Sequence, residues 1–165
     1  MLNLPFLFPE SDINLRLARL LILIDKLSRT KRGKLVLNLG KIAIFDFLVR
    51  YPQVLYYTLD NNFSFTVREY EIGNIDSQYP EVALVFNYKE TDIVLKVLLA
   101  YGFIEVIKNQ KDIYYIITES GQKIVEELDS DYFFRVREIV EAIRPLQKEN
   151  ESELRMSIKH NIKGV

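Results

Sequence analysis

The first half of the chain alternates between strongly apolar runs and short polar segments, a pattern that predicts buried helices. Residues 13–27 are apolar apart from a few charges, and Ser11 or Asp12 can cap a helix there. A second apolar run, residues 39–51, follows Asn38 and stops before a proline. We therefore expect a second capped helix that the proline ends.

Two further segments of this half are more mixed. Residues 34–37 follow a basic turn and have the composition of a short strand. Residues 60–88 combine β-branched and aromatic residues with turn-forming residues. Part of this second stretch is expected to be strand as well.

The clearest pattern lies further along, where a helix, a hairpin and another helix follow one another with almost no linker. Residues 90–101 are apolar on nearly every side, and Gly102 can end this helix. Residues 103–108 and 113–118 predict two strands, and Thr118 can cap the next helix. This order is typical of a winged helix. The predicted fold class is α+β, mainly helical: a winged helix-turn-helix with added N- and C-terminal helices.

A composition shift near residue 129 divides the chain into two predicted regions. Residues 1–128 would form the winged-helix domain with its N-terminal arm and helix, and residues 129–165 a C-terminal helical extension. Four apolar residues of the extension recur at helical spacing, and such a stripe must be buried for a short helix to be stable. The protein's own N-terminal helix, a second copy or a partner could cover it, and a homodimer is the simplest arrangement. The predicted partner-binding residues are Phe133, Val136, Val140 and Ile143.

Composition limits the function classes. The chain has 165 residues, a formal net charge of -1, no cysteine and one histidine, so it has no general attraction to nucleic acid and no thiolate metal site. The N-terminal residues lack the features of a secretory signal, and charges interrupt residues 13–27 too often for a membrane span. We expect a cytoplasmic protein that does not enter the membrane.

Catalytic patterns are lacking. The sequence has no phosphate-binding glycine loop, no metal-ligand spacing, and no nucleophile set except one that would recruit His160 from a tail expected to be exposed. The prediction is that the protein is not an enzyme and needs no cofactor.

The helix at residues 90–101 also argues against sequence-specific DNA binding. A helix that enters the major groove needs Arg, Lys, Asn or Gln to contact base edges, and this helix offers mainly aliphatic residues with few charges. We expect DNA binding by the isolated protein to be weak and non-specific at most. The side chains able to contact phosphate are those of a basic turn, which can equally be a positive helix end kept in water: Arg29, Lys31, Arg32 and Lys34.

Particular phrases of the sequence resemble the middle component of bacterial ABC-three-component systems, of which the Lamassu defence systems are the best known. The phrases are Pro5-Phe6 with Glu10, residues 16–21 (RLARLL), and residues 45–52 (FDFLVRYP) with Val54-Leu55. Within the third phrase, Phe45 and Leu48 share one side of a helix and are expected in the core. Arg50 lies near the helix end, where a cation is favourable, and is expected to be exposed.

The resemblance implies a non-enzymatic adaptor subunit. It would join an SMC-like or Rad50-like ABC ATPase to an effector such as a nuclease, in defence against phage or plasmid DNA. The alternative is a dimeric winged-helix transcription regulator that binds DNA. An ATPase gene next to the coding sequence favours the adaptor, and an inverted repeat in a divergent promoter favours the regulator.

Overall fold

The computed structural model describes residues 12–59, 64–72 and 80–163, except for the side chains of residues 80–87 and 163. The described part is mainly helical and has one two-stranded antiparallel sheet, which confirms the α+β, mainly helical class. The predicted N-terminal arm, the phrase around Pro5 and the cap at Ser11 lie outside the described residues. The helices and strands are α1 (Ile13–Leu27), α2 (Leu39–Arg50), α3 (Pro52–Thr58), α4 (Pro80–Ala100), β1 (Ile104–Asn109), β2 (Asp112–Ile117), α5 (Glu119–Glu127), α6 (Asp131–Ile143) and α7 (Glu151–Lys163), with short 3-10 turns at Glu69–Glu71 and Arg144–Lys148.

Three of the predicted helix caps are confirmed. Asp12 accepts a hydrogen bond from the backbone N–H of Asn14, and Asn38 accepts one from the backbone N–H of Lys41. The Thr118 hydroxyl caps α5 in the same way, at 3.1 Å from the Gly121 nitrogen. Each side chain supplies an acceptor for N–H groups that have no partner within the first turn of a helix.

The hairpin also follows the prediction, within one residue at each strand end. Gly102 ends α4 with a φ of +74°, and the N–H of Phe103 reaches back to the Leu98 carbonyl, as in a Schellman motif. The strands pair in antiparallel register from Ile104 opposite Ile117 to Asn109 opposite Asp112.

The predicted start of α4 was wrong, because the helix begins at Pro80, ten residues earlier. The strand expected within residues 60–88 is absent from residues 64–72 and 80–88, and the other residues of that stretch lie outside the described part. The strand predicted at residues 34–37 was also wrong, since this segment makes only an isolated bridge, Arg29 with Leu35. The next contact is still sheet-like, because the N–H of Tyr115 donates to the Leu37 carbonyl at 2.9 Å.

One hydrophobic core runs through the described part of the chain. Helices α1 and α2 lie at its centre, α6 packs on both of them, and α7 packs on α2 and α3. Phe45, Phe47 and Leu48 are fully buried, which confirms the predicted core positions in α2. Core residues come from both sides of residue 128, although the division into a winged-helix domain and an extension stays a prediction. Among the described helices, none is both long and apolar enough to cross a membrane.

Arginine contacts hold the short segment of residues 64–72 against α6, and those of Arg135 are the most buried. Arg135 forms an ion pair with Glu71 at 2.7 Å and donates to the Thr66 carbonyl at 2.9 Å. Its guanidinium also lies over the Phe65 ring. Arg135 is 8% exposed, so these contacts take the place of water around a charge that folding has buried.

Candidate functional site

The apolar stripe of α6 is covered by the protein's own chain. Val136, Val140 and Ile143 are buried in the core, where α6 packs on α1. Phe133 is partly buried and packs on the same core. Of the three predicted covers, the chain's own N-terminal helix is observed over Val136, Val140 and Ile143; that these four residues bind a partner stays a prediction. The physical reason for this cover is that α1 is also strongly apolar, so that packing α1 against α6 buries the apolar residues of both helices.

The distinctive segment around Asp46 holds a buried ion pair. Asp46 accepts a hydrogen bond from Arg19 of α1 at 2.7 Å, and both side chains are almost inaccessible to water. Arg50 forms a second ion pair with Asp46 at 3.4 Å, and its side chain is only 11% exposed. The prediction that Arg50 is exposed was therefore wrong, because Asp46 one turn earlier draws its guanidinium inward.

These contacts determine the ionisation of Asp46. Burial alone would raise the pKa of its carboxyl group, but the charges of Arg19 and Arg50 and the hydrogen bond from Arg19 outweigh burial. The pKa therefore lies below its ordinary value of 3.8. Asp46 is a charged structural residue that joins α1 to α2.

The basic turn is exposed, and its backbone is tightly held. Gly33 adopts a φ of +81°, a conformation that favours glycine, and its N–H donates to the Thr30 carbonyl. The guanidinium of Arg29 donates a hydrogen bond to the Gly33 carbonyl oxygen at 3.1 Å. Lys31, Arg32 and Lys34 are exposed. The three side chains line one cavity, whereas Arg29 lines a neighbouring one.

The cavity lined by the basic turn has a volume of about 580 Å³. We call it the basic cavity. Its walls come from the turn, the start of α2, Tyr114 of β2 and residues 147–151. Its charged side chains are five cations and two carboxylates: Lys31, Arg32, Lys34, Lys41 and Lys148, with Glu149 and Glu151.

Two of these cations, Lys41 and Lys148, were not singled out by the sequence. Lys41 lies on the first turn of α2 and is 8% exposed, and its ammonium donates to the Gln147 carbonyl at 2.7 Å. Burial, followed by the nearby charge of Lys34, lowers the pKa of Lys41. No local sequence signal indicates this arrangement, because it joins residues more than a hundred positions apart.

A second exposed surface lies on α4 and the hairpin. Tyr115 shares one side of the hairpin with Val106 and Ile113, and the charges of Asp92 and Lys96 on α4 act on it. That side of the hairpin is therefore directed toward α4. We call the exposed residues of α4 and of this side of the hairpin the α4–hairpin face: Ile93, Lys96, Val106 and Ile113.

The charges on this part of α4 are largely paired. Lys96 forms an ion pair with Asp92 at 2.7 Å, and Glu90 forms one with Arg16 of α1 at 3.4 Å. Between residues 88 and 100 the helix carries no arginine, asparagine or glutamine. It lacks most of the side-chain types that recognise base edges.

Comparison with known families decides the identity. The family described as ABC-three component (ABC-3C) system Middle Component 4 matches residues 27–156, which is most of the chain. The protein belongs to this family. No curated protein and no solved structure matched it.

As a middle component, the protein is an accessory subunit of a system that also contains an ABC ATPase. The matched range includes the basic turn, Asp46, the hairpin and α6. Within the described residues, this middle component has no cluster of three or more side chains able to hold a metal ion. His160 lies exposed on α7, as expected from the sequence.

Proposed function

We propose that this middle component is a non-enzymatic adaptor that binds the SMC-like ABC ATPase of its own system and joins it to an effector. The system would act against phage or plasmid DNA, as the likeness to Lamassu systems implies. The observation that carries the proposal is the α4–hairpin face. In a DNA-binding winged helix this region would carry unpaired cations and base-contacting side chains, and here it carries aliphatic side chains and paired charges.

The arrangement around this face supports a winged-helix architecture. The order α2, α3, α4, β1 and β2 places a helix directly before a hairpin. The Tyr115–Leu37 hydrogen bond adds the segment before α2 to the edge of β2, where a winged helix has its third strand. In such a fold the helix before the hairpin and the hairpin itself present one continuous surface.

The exposed aliphatic residues give this surface its binding energy. Ile93 is 51% exposed, Val106 42% and Ile113 48%. A partner that covered them would remove apolar area from water at a gain of roughly 25 cal/mol per Å². A few well-placed apolar residues usually dominate the affinity of a protein interface.

A capture experiment with the ATPase of the same system tests the proposal. We expect the wild type to retain the ATPase and Ile93→Glu to weaken binding about tenfold or more, since a charge replaces an interface anchor. Met156→Glu on α7 is the matched control, because Met156 is also an exposed apolar side chain on a helix. Equal binding by Ile93→Glu and wild type, or no capture of the ATPase, would contradict the adaptor role.

The alternative is a dimeric winged-helix regulator, and the exposed cations of the basic turn favour it. The adaptor hypothesis predicts duplex binding with a Kd of about 10⁻⁴ to 10⁻⁶ M and no sequence preference, from phosphate contacts alone. Fluorescence anisotropy at physiological salt distinguishes the two. Nanomolar binding to one sequence, with a dimer detected by light scattering, would establish the regulator instead.

A further inference from the structure

The basic cavity has the size of a small-molecule site. Pockets that enclose small ligands have volumes of roughly 300 to 1,000 Å³, and this one measures about 580 Å³. Four separate parts of the chain meet there: the basic turn, the start of α2, Tyr114 of β2 and residues 147–151. The adaptor role proposed above makes no use of it.

The charge in the cavity is unbalanced. Within the described residues, none of the five lining cations forms an ion pair. One of the two carboxylates is already engaged, since Glu151 pairs with Arg155 at 3.1 Å and interacts with Tyr88. The charges of Glu149, Glu151 and Glu153 act on Lys41, but the five cations outnumber these three carboxylates, so the cavity favours an anion.

Lys41 places part of this charge where water scarcely reaches. An ammonium group has three N–H donors, and within the described residues Lys41 uses one, on the Gln147 carbonyl. Its burial is unfavourable enough to lower the pKa of Lys41. An anion inside the cavity would accept the remaining donors and offset the cost of burying the charge.

The remaining wall is apolar and includes one aromatic ring. Leu35, Val36 and Tyr114 line the cavity beside the cations. A ligand with a charged end and a flat, less polar end would find a surface for each. Nucleotides have this combination of groups.

We propose that the basic cavity binds a free nucleotide, with its phosphates on Lys31, Lys34, Lys41 and Lys148 and its base against the wall that contains Tyr114. A free nucleotide fits better than a nucleic acid duplex, because Lys41 is 8% exposed and a ligand must enter the cavity to reach it. The phosphates of a duplex remain on the outside of a wide rod. They can contact the rim, formed by the exposed Lys31, Arg32 and Lys34.

Isothermal titration calorimetry on the full chain tests this site, with ATP, AMP, inorganic phosphate and a short duplex as separate probes. We expect ATP to bind more tightly than AMP, inorganic phosphate or the duplex. Lys31→Glu with Lys34→Glu should weaken ATP binding about tenfold or more, because charge-assisted contacts to phosphate are replaced by repulsion. Lys148→Glu, an independent exposed position, should weaken it in the same direction.

The matched control is Lys108→Glu with Lys111→Glu, which makes the same charge change on the exposed hairpin tip outside the cavity. This variant should bind ATP as the wild type does. No ATP binding by the wild type, or an equal loss in the control variant, would overturn the proposal. Tighter binding to the duplex than to ATP, abolished by the cavity variants, would also overturn it and make the rim a nucleic acid contact. None of these outcomes bears on capture of the ATPase through the α4–hairpin face.

Discussion

Two charged regions of this protein are built in opposite ways. In the interior, Arg19 and Arg50 face one carboxylate, Asp46, and the ion pairs are largely buried. In the basic cavity, five cations line one space without an ion pair among the described residues. The first arrangement is completed within the chain, whereas the second leaves charge that a ligand can neutralise.

The charges of the interior ion pairs maintain the fold, whereas the charges of the basic cavity are those proposed to bind a ligand. A buried ion pair contributes little net stability when it forms, but loss of one partner is costly because the other charge stays buried. Exposed cations near one another contribute nothing or slightly destabilise a fold. Substitutions in the two regions should therefore differ sharply in their effect on stability.

The largest effect is expected from Asp46→Ala. This change leaves Arg19 and Arg50 in the interior without their carboxylate, at an expected cost of about 3 to 5 kcal/mol in the free energy of unfolding. Urea denaturation followed by circular dichroism measures it. Lys123→Ala removes one member of a fully surface ion pair and should behave like the wild type. Similar losses in both variants would show that the buried ion pairs of Asp46 matter no more to stability than a surface ion pair.

Arg50→Ala should have an intermediate effect, of about 1 to 3 kcal/mol. Asp46 loses one of its two cationic partners but keeps the hydrogen bond from Arg19. The measurement is the same urea titration. A variant as stable as the wild type would support the original expectation that Arg50 is exposed.

The pH dependence of stability sharpens the same comparison. Because the pKa of Asp46 lies below its ordinary value of 3.8, its charged form stabilises the fold above that pH. This stability is lost as the pH falls through the lower, folded-state pKa. Asp46→Asn should therefore lose less stability than the wild type between about pH 4 and the acid unfolding transition. Parallel curves of unfolding free energy against pH would contradict the lowered pKa.

The smallest effect is expected in the basic cavity. Lys31→Ala and Lys34→Ala remove exposed cations that form no ion pair within the described chain, so each should change stability by less than about 0.5 kcal/mol. Thermal unfolding by circular dichroism is sufficient to compare them. A loss as large as that of Asp46→Ala would mean that these lysines hold the fold together.

The sequence predicted local structure well where short-range rules decide it. The caps at Asp12, Asn38 and Thr118 follow from single residues beside apolar runs. The end of α4 follows from Gly102, because glycine readily adopts the positive φ found there. The start of α4 was predicted ten residues too late, because residues 60–88 contain turn-forming residues, Pro80 among them. Pro80 instead occupies the first position of α4, where its missing N–H costs nothing.

Contacts between distant segments could not be predicted in the same way. Arg50 was expected in water because no local feature indicates its pairing with Asp46 and the approach of Arg19 from α1. The stripe of α6 was correctly expected to need a cover, but the pattern does not say which surface provides it. In the basic cavity three of the four predicted cations lie together, while Lys41 and Lys148 join them only through the tertiary fold.

The side chain of Gln147 has a consequence for how the protein is made. Its amide group donates to the Leu27 and Arg29 carbonyls, and its backbone carbonyl accepts from Lys41. The end of α1 and the start of α2 thus remain without these partners until the ribosome has synthesised residue 147. Leu154 and Ile158, fully buried in the same core, are made later still. Helices α1 and α2 therefore stay partly uncovered during synthesis. The core closes only after α6 and α7 have been translated.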